Sequence, residues 1–244
     1  MSFLYLLQKN LMYRIAFFYC FLLVISCKDQ PSSKKNHVTT TIKQQTVKNK
    51  ITKKEVTKET YPKLNSENAI PFFAEYGKKN KENKVRLVTD FGSIEILLFN
   101  NTKYHRANFI FLSKQKYFKN TQFYRVINNF VIQGGDSDDQ KTANKRFKIG
   151  EYLLPTDTNK GHKHNRGVIS MPSSEIENPY KLASPFEFFI VQRKGGAHNL
   201  DGDYTVFGQV TKGMDVVDKI AAVNTDETDW PMKNVFIRDV EIIN

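Results

Sequence analysis

Cysteine is nearly absent from this chain of 244 residues. There are two, Cys20 and Cys27, and none beyond residue 27. Whatever follows residue 27 therefore folds without a disulfide and offers no thiol nucleophile or thiolate metal ligand. Apolar runs long enough to span a bilayer as a helix are also missing; the longest, IAFFYCFLLVIS (15–26), has 12 residues. Acidic residues form no calcium loop. DSDDQ (136–140) lacks the glycine and terminal glutamate of that pattern and reads as a solvated turn. His162 and His164 in GHKHNRG have no third ligand at a compelling spacing, so no metal is expected.

What is abundant is positive charge, +12 in all. Counted along the chain, residues 1–27 carry +2, residues 28–68 carry +6, residues 69–84 carry +2 and residues 85–244 carry +2. The excess lies before the compact part of the sequence. A nucleic-acid footprint belongs on the face of a folded domain, so no nucleic-acid partner is expected.

Residues 1–26 read as a signal peptide, with Lys9 and Arg14 before the apolar run and Met12 as an alternative start. The run ends in LVISC, which resembles the lipobox of bacterial lipoproteins, with Val24 where leucine is most usual. That resemblance implies lipidation at Cys27, a lipid anchor in a membrane, and residence in a bacterial cell envelope facing the periplasm. Residues 27–68 are rich in Lys, Thr, Gln and Asn, contain no Gly, and read as a disordered basic tether. SENAIPFFAEYGKK then reads as a short helical lead-in (69–84), with Ser66 or Asn68 as its cap and Gly77 as its stop.

From Val85 to Asn244 the pattern becomes alternation. KVRLVTDFGSIEILLFN is a hairpin signature, and TKYHRANFIFLSKQKYF is a helix with Thr102 as its cap. FYRVI and FVIQGG are strands joined at Asn128–Asn129, a pair that tolerates the left-handed backbone of a tight turn. RGVISMPS, FEFFIVQR, YTVFGQV and VFIRDVEII add four strands, and GMDVVDKIAAV a second helix. Many short strands with two isolated helices argue for an antiparallel barrel. Within it, Arg125 sits among aromatic and aliphatic residues, where an unpartnered guanidinium is costly. Alternation puts Val131 and Gln133 on one strand face. Only one of the adjacent Phe188 and Phe189 can face the core.

FYRVINNFVIQGGDS, GVISM, FEFFIV, LDGDYTVFGQVTKGMDVVDKI and the RANFIFL helix, in this order and spacing, resemble the cyclophilin family of peptidyl-prolyl cis-trans isomerases. The resemblance covers residues 85–244. It implies a mainly β fold, a closed eight-stranded antiparallel barrel capped by two α-helices. It assigns catalysis to Arg125, with Gln133 orienting it, and a proline pocket to Phe130, Val131, Phe189, Leu200 and Tyr204. Met171, Pro172, Ser173 and Glu187 join the substrate-binding set, the first three through a loop that carries substrate-contacting backbone. Val131, Pro172, Glu187, Asn199 and Tyr204 depart from the family's commoner Met, Ala, Gln, aromatic and His. The partners implied are Pro-containing polypeptides, with no cofactor and a monomeric state. Two functions follow as expectations: an isomerase assisting the folding of exported proteins, or a catalytically weak binding module for Pro-containing segments. If the Glu187 carboxylate approaches Arg125, it would neutralise that donor and slow catalysis or change which residue precedes proline.

Overall fold

The structure, a computed structural model, describes residues 60–173 and 178–243. The leader, Cys27 and tether residues up to 59 lie outside the described residues. Eight strands close into one barrel: β1 (Lys84–Thr89), β2 (Gly92–Leu98), β3 (Thr121–Ile127), β4 (Val131–Asp136), β5 (Val168–Ser170), β6 (Phe188–Val191), β7 (Val206–Lys212) and β8 (Val235–Ile242). Their order is β1-β2-β7-β5-β6-β4-β3-β8, with β8 returning to β1, and every pairing is antiparallel. Closure removes the free edges that an open sheet of this size would expose. Alternation along β1 and β2 sends Val85, Leu87, Ile94 and Ile96 inward, all at most 1% exposed.

The described residues hold four α-helices: the lead-in α1 (Ala69–Lys79), the two expected on the barrel, α2 (Lys103–Lys114) and α4 (Met214–Ala221), and one that was not expected, α3 (Gln140–Ile149). The helix α3 corrects the reading of 136–140 as a solvated turn. Asp139 is its N-cap, accepting from the backbone N–H groups of Lys141 (2.6 Å) and Thr142 (2.9 Å). The Ser137 hydroxyl, with those amides, outweighs partial burial and holds the Asp139 carboxyl down at about 2. The cluster DSDD thus leads into a helix, with Asp139 as its cap.

Gly77 does not stop α1, which runs on to Lys79. Its missing side chain serves packing: a Cβ there would lie 3.2 Å from the Cβ of Ala107 in α2. The end of α1 is closed by Arg106, whose guanidinium donates to the carbonyls of Gly77 (3.1 Å), Asn80 (2.8 Å) and Glu82 (3.0 Å). The first two are acceptors at the helix C-terminus, where a cation is also favoured by the dipole, and Glu82 lies in the segment that follows. Thr102 stands at the N-cap of α2 but makes no side-chain cap bond; its hydroxyl donates back to Phe99 O (3.2 Å).

The folded unit begins earlier than residue 69. Leu64, placed in the tether by composition, is 1% exposed and bonds through both backbone groups, N to Ile149 O (2.8 Å) and O to Glu151 N (3.0 Å). Tyr61 packs edge-on against Phe111 at 5.1 Å. Two apolar residues among lysines are too few to register in a compositional average, yet they find a prepared groove. Gly150 makes that groove: it has φ +130°, and a Cβ on it would fall 1.9 Å from Leu64 O. Leu64→Ala is expected to lower stability by about 2–5 kcal/mol, the cost of a buried leucine. Urea denaturation checks this, and a change inside experimental error would return residues 60–68 to the tether.

Candidate active site

Strand β3 holds the feature on which the site depends. Its register against β4 slips between Phe123 and Arg125, so that Phe123–Tyr124–Arg125 faces Gly134–Gln133 with one extra residue. Strict alternation would send Tyr124 and Arg125 to opposite faces; a bulge redirects a side chain. Here Phe123 and Val126 are buried, while Tyr124 and Arg125 both line the same outer cavity. Gly135, at φ +104°, lets β4 pass closely by the segment that leads into β6, since a Cβ would meet Phe186 O at 2.5 Å.

The cavity has a volume of about 970 Å³. Arg125, Phe130, Val131, Gln133, Pro172, Ser173, Glu187, Phe189, Leu200 and Tyr204 all line it, from positions up to 79 residues apart (Arg125 to Tyr204). Its apolar part is a cluster separate from the main core, built on Val131, Phe189 and Val206 with Phe130, Leu200 and Tyr204 packed against it. Phe188 and Phe189 divide as alternation requires. Phe188 enters the main core against Phe109 and Phe123, and Phe189 meets Tyr204 edge-on at 6.0 Å. Beneath, His164 lies nearly parallel to Phe189 at 5.9 Å. His164 is itself fixed by Asp201 (Nδ1 to Oδ1, 2.9 Å) and Ser170 (3.2 Å). Asp201 is pushed up by partial burial, but bonds from the backbone and ring of His164 outweigh this and bring it to about 2. His162 turns away and stacks on Phe99 at 4.2 Å. Among the described residues no group of three or more His, Cys, Asp and Glu side chains could hold a metal ion.

Three assignments change. Met171 does not reach the cavity; just past β5, its side chain is 1% exposed within the main core, while its neighbour Pro172 lines the cavity. Gln133 faces Arg125 across the ladder, but its amide donates to the Tyr124 hydroxyl, which donates to Glu187 Oε2 at 2.7 Å. Glu187 does not approach Arg125. Ser184 donates to its Oε1 (3.2 Å), and Arg146 of α3 lies at 3.5 Å. Arg125 instead pairs with Asp229, Nη2 to Oδ2 at 3.3 Å, its side chain 42% exposed. Asn199 is exposed and does not line the cavity.

Tyr124, Asp136, Arg146, Ser184 and Asp229 were not singled out by sequence reasoning. Tyr124 is hidden by the bulge, and Arg146 by the unrecognised helix. Asp229 lies 104 residues from Arg125, beyond any local pattern. Around this wall Arg146 reaches Asp136 at 2.5 Å and lies over the Phe186 ring, 4.9 Å from its centroid. Burial, with the Glu187 charge and bond, pushes the Tyr124 phenol far above its ordinary value, so it acts as a fixed donor. Glu187→Gln is accordingly expected to lower stability by about 1–3 kcal/mol, as for a bond to a charged group. Catalysis should stay within about threefold of wild type, because Arg125 keeps its own partner. A thermal melt beside a proline-peptide assay separates the two effects, and a large kinetic change without loss of stability would contradict this reading.

A closed eight-stranded antiparallel barrel with an apolar outer pocket and Arg125 beside it defines the class. Residues 84–242 match the family described as cyclophilin type peptidyl-prolyl cis-trans isomerase/CLD, and the chain belongs to that family. It is 36% identical over 162 residues to a peptidyl-prolyl cis-trans isomerase of Acinetobacter baylyi, covering 66% of this chain and 82% of that protein. It is 34% identical over 169 residues to peptidyl-prolyl cis-trans isomerase-like 2 of Rhizopus delemar, covering 68% of this chain but only 30% of that longer protein. A crystal structure of a Cryptosporidium parvum cyclophilin type peptidyl-prolyl cis-trans isomerase, in the presence of the dipeptide Ala-Pro, is similar with a TM-score of 0.55. It shares 28% identity and covers 66% of this chain and 99% of that one.

Proposed function

We propose that this domain catalyses cis-trans isomerisation of Xaa-Pro bonds in exported polypeptides, with Arg125 as the hydrogen-bond donor. The observation that carries the reading is the convergence of Arg125 with Phe130, Val131, Phe189, Leu200 and Tyr204 on one cavity. Rotation about the prolyl bond meets a barrier near 20 kcal/mol because its C–N bond has partial double-bond character. No nucleophile or proton transfer is required. An apolar wall holds the pyrrolidine ring; as the bond twists, its nitrogen recovers a lone pair that a guanidinium can meet. Such a bond is stronger in the transition state than in the ground state and so lowers the barrier.

The second reading, a binding module with little turnover, is favoured by the departures at Asn199, Pro172 and Glu187 from the family's commoner residues, the last two of which line the cavity. Acceleration of proline-limited refolding by the full chain separates the two. Peptide binding with no acceleration would establish the second. The anchoring is part of the proposal: the LVISC motif supports lipidation of Cys27 and a periplasm-facing site in the cell envelope of a bacterium. Among the described residues no helix is long and apolar enough to cross a membrane. Because the barrel leaves no free sheet edge, we read the chain as a monomer. Pro-containing clients are the partners, and no cofactor enters the reaction.

A further inference from the structure

We propose that Asp229 is the positioning residue for Arg125, holding its guanidinium at the mouth of the pocket. This rests on the isomerase reading, and it moves to Asp229 the task that the family resemblance assigns to Gln133.

Among the described residues no hydrogen bond joins Gln133 to Arg125, and the Gln133 amide N–H is engaged elsewhere. Its amide N–H donates to Tyr124, whose hydroxyl is fixed on Glu187, and Glu187 is in turn held by Ser184 and Arg146. The charge partner of Arg125 among the described residues is Asp229, at 3.3 Å.

The loop bearing Asp229 is constructed so as to hold that carboxylate still. A bridge joins Thr225 to Pro231, and Asp226 N donates to Trp230 O at 2.8 Å. The Asp226 carboxylate accepts from Thr228 N (2.8 Å), Thr228 Oγ1 (2.7 Å) and Trp230 N (2.9 Å). Asp229 itself has φ +65°, a left-handed conformation that aspartate tolerates better than most non-glycine residues. Its carbonyl accepts from the N–H of Val126 at 2.8 Å, which ties the loop to β3 at the residue next to Arg125. Backbone and side chain of Asp229 therefore grip two consecutive residues of the catalytic strand.

A carboxylate beside a catalytic cation can hold it or blunt it, and the geometry favours holding. A guanidinium has five N–H donors in a fixed fork, and a single oxygen at 3.3 Å leaves others free for substrate. Both partners are about two-fifths exposed, 42% and 38%, so solvent screens the neutralising effect on the charge. What the contact removes is freedom of a long side chain, and orientation is what a hydrogen-bond donor to a twisting amide needs.

The test uses Asp229→Gly and Asp229→Asn in the full chain, since both replacements accept a left-handed backbone. Exchange NMR on an uncharged Ala-Pro peptide should show kcat reduced about two- to fivefold in Asp229→Gly with KM unchanged, the scale of an exposed ion pair. Asp229→Asn, which still offers an acceptor, should fall between. The wild-type rate should decline with added salt while that of Asp229→Gly stays flat. In an Arg125→Ala background, Asp229→Gly should add no further loss. An unchanged or raised kcat in Asp229→Gly overturns the proposal, the latter making Asp229 a brake. A wild type that leaves the peptide unaffected refutes the isomerase reading instead. The Arg125 guanidinium NMR signals, which need no turnover, then still decide the contact, and spectra identical in wild type and Asp229→Gly overturn it.

Discussion

Arg125→Ala is expected to lower kcat/KM for prolyl isomerisation by about 10²–10³, the usual consequence of removing one preorganised donor from a transition state. Stability should hardly change. The side chain is 42% exposed and its one ion pair, with Asp229, is of the kind worth about 0–1 kcal/mol. Peptide affinity should also persist, because Phe130, Val131, Phe189, Leu200 and Tyr204 are untouched and form a cluster of their own. This combination, a lost rate with retained fold and binding, distinguishes a donor from a structural residue. Arg125→Lys should recover little: an ammonium keeps the charge but not the planar fork. Proline-limited refolding and peptide titration, run on the same preparations, decide the matter. Retention of more than about a tenth of the wild-type rate in Arg125→Ala would remove arginine from the centre of the mechanism.

Acidification is expected to weaken the fold well before the carboxylates titrate, through His105. This residue of α2 is fully buried, and neither ring nitrogen has a hydrogen-bond partner among the described residues. Burial holds its imidazole down at about 3, against an ordinary 6.5. The sign follows directly. Between those two values the unfolded chain takes up a proton at His105 and the folded chain does not, so falling pH favours unfolding. The associated stability is fully present above 6.5 and is lost progressively towards 3. At about 1.4 kcal/mol per pH unit the ceiling is roughly 5 kcal/mol, a large part of a typical domain's stability. Asp139 and Asp201, held at about 2, act only below the ordinary carboxylate range, so their effect begins where that of His105 is nearly spent. His105→Leu, of similar size and without a polar atom to bury, should flatten the slope of stability between about pH 6.5 and 4. It should leave stability at neutral pH unchanged or raised. Urea midpoints at several pH values in that window measure both, and parallel slopes for wild type and variant would show that His105 does not carry the acid sensitivity.

The barrel was legible because its strands alternate and its turns are chemically marked. Asn129 takes the left-handed conformation, at φ 57°, that its residue type allows, and β1 and β2 form the hairpin announced by TDFG. The same alternation divided Phe188 from Phe189. Where it failed, it failed for a physical reason. The bulge at Tyr124 inserts one residue and reverses the face of everything local to it, and no residue type there signals the insertion. The α3 helix is short and polar, with only Thr142 buried, so it lacks the apolar stripe by which a helix is recognised. Leu64 is buried by a groove supplied by residues 149–151, which local composition cannot foresee.

By itself, then, the sequence determined the strands, which follow from side-chain period, and, through motifs of specific spacing that resemble a known family, the family and the residues that line the apolar pocket. Tertiary structure alone decided the partners of the charged groups. Gln133 went to Tyr124, Glu187 to Tyr124, Ser184 and Arg146, and Arg125 to Asp229. Those choices depend on distances of about 3 Å between residues up to 104 positions apart, set by a bulge, a helix cap and a loop held at positive φ. Periodicity reports which face a side chain occupies; it carries no information on which of several carboxylates on that face will arrive within reach of a guanidinium.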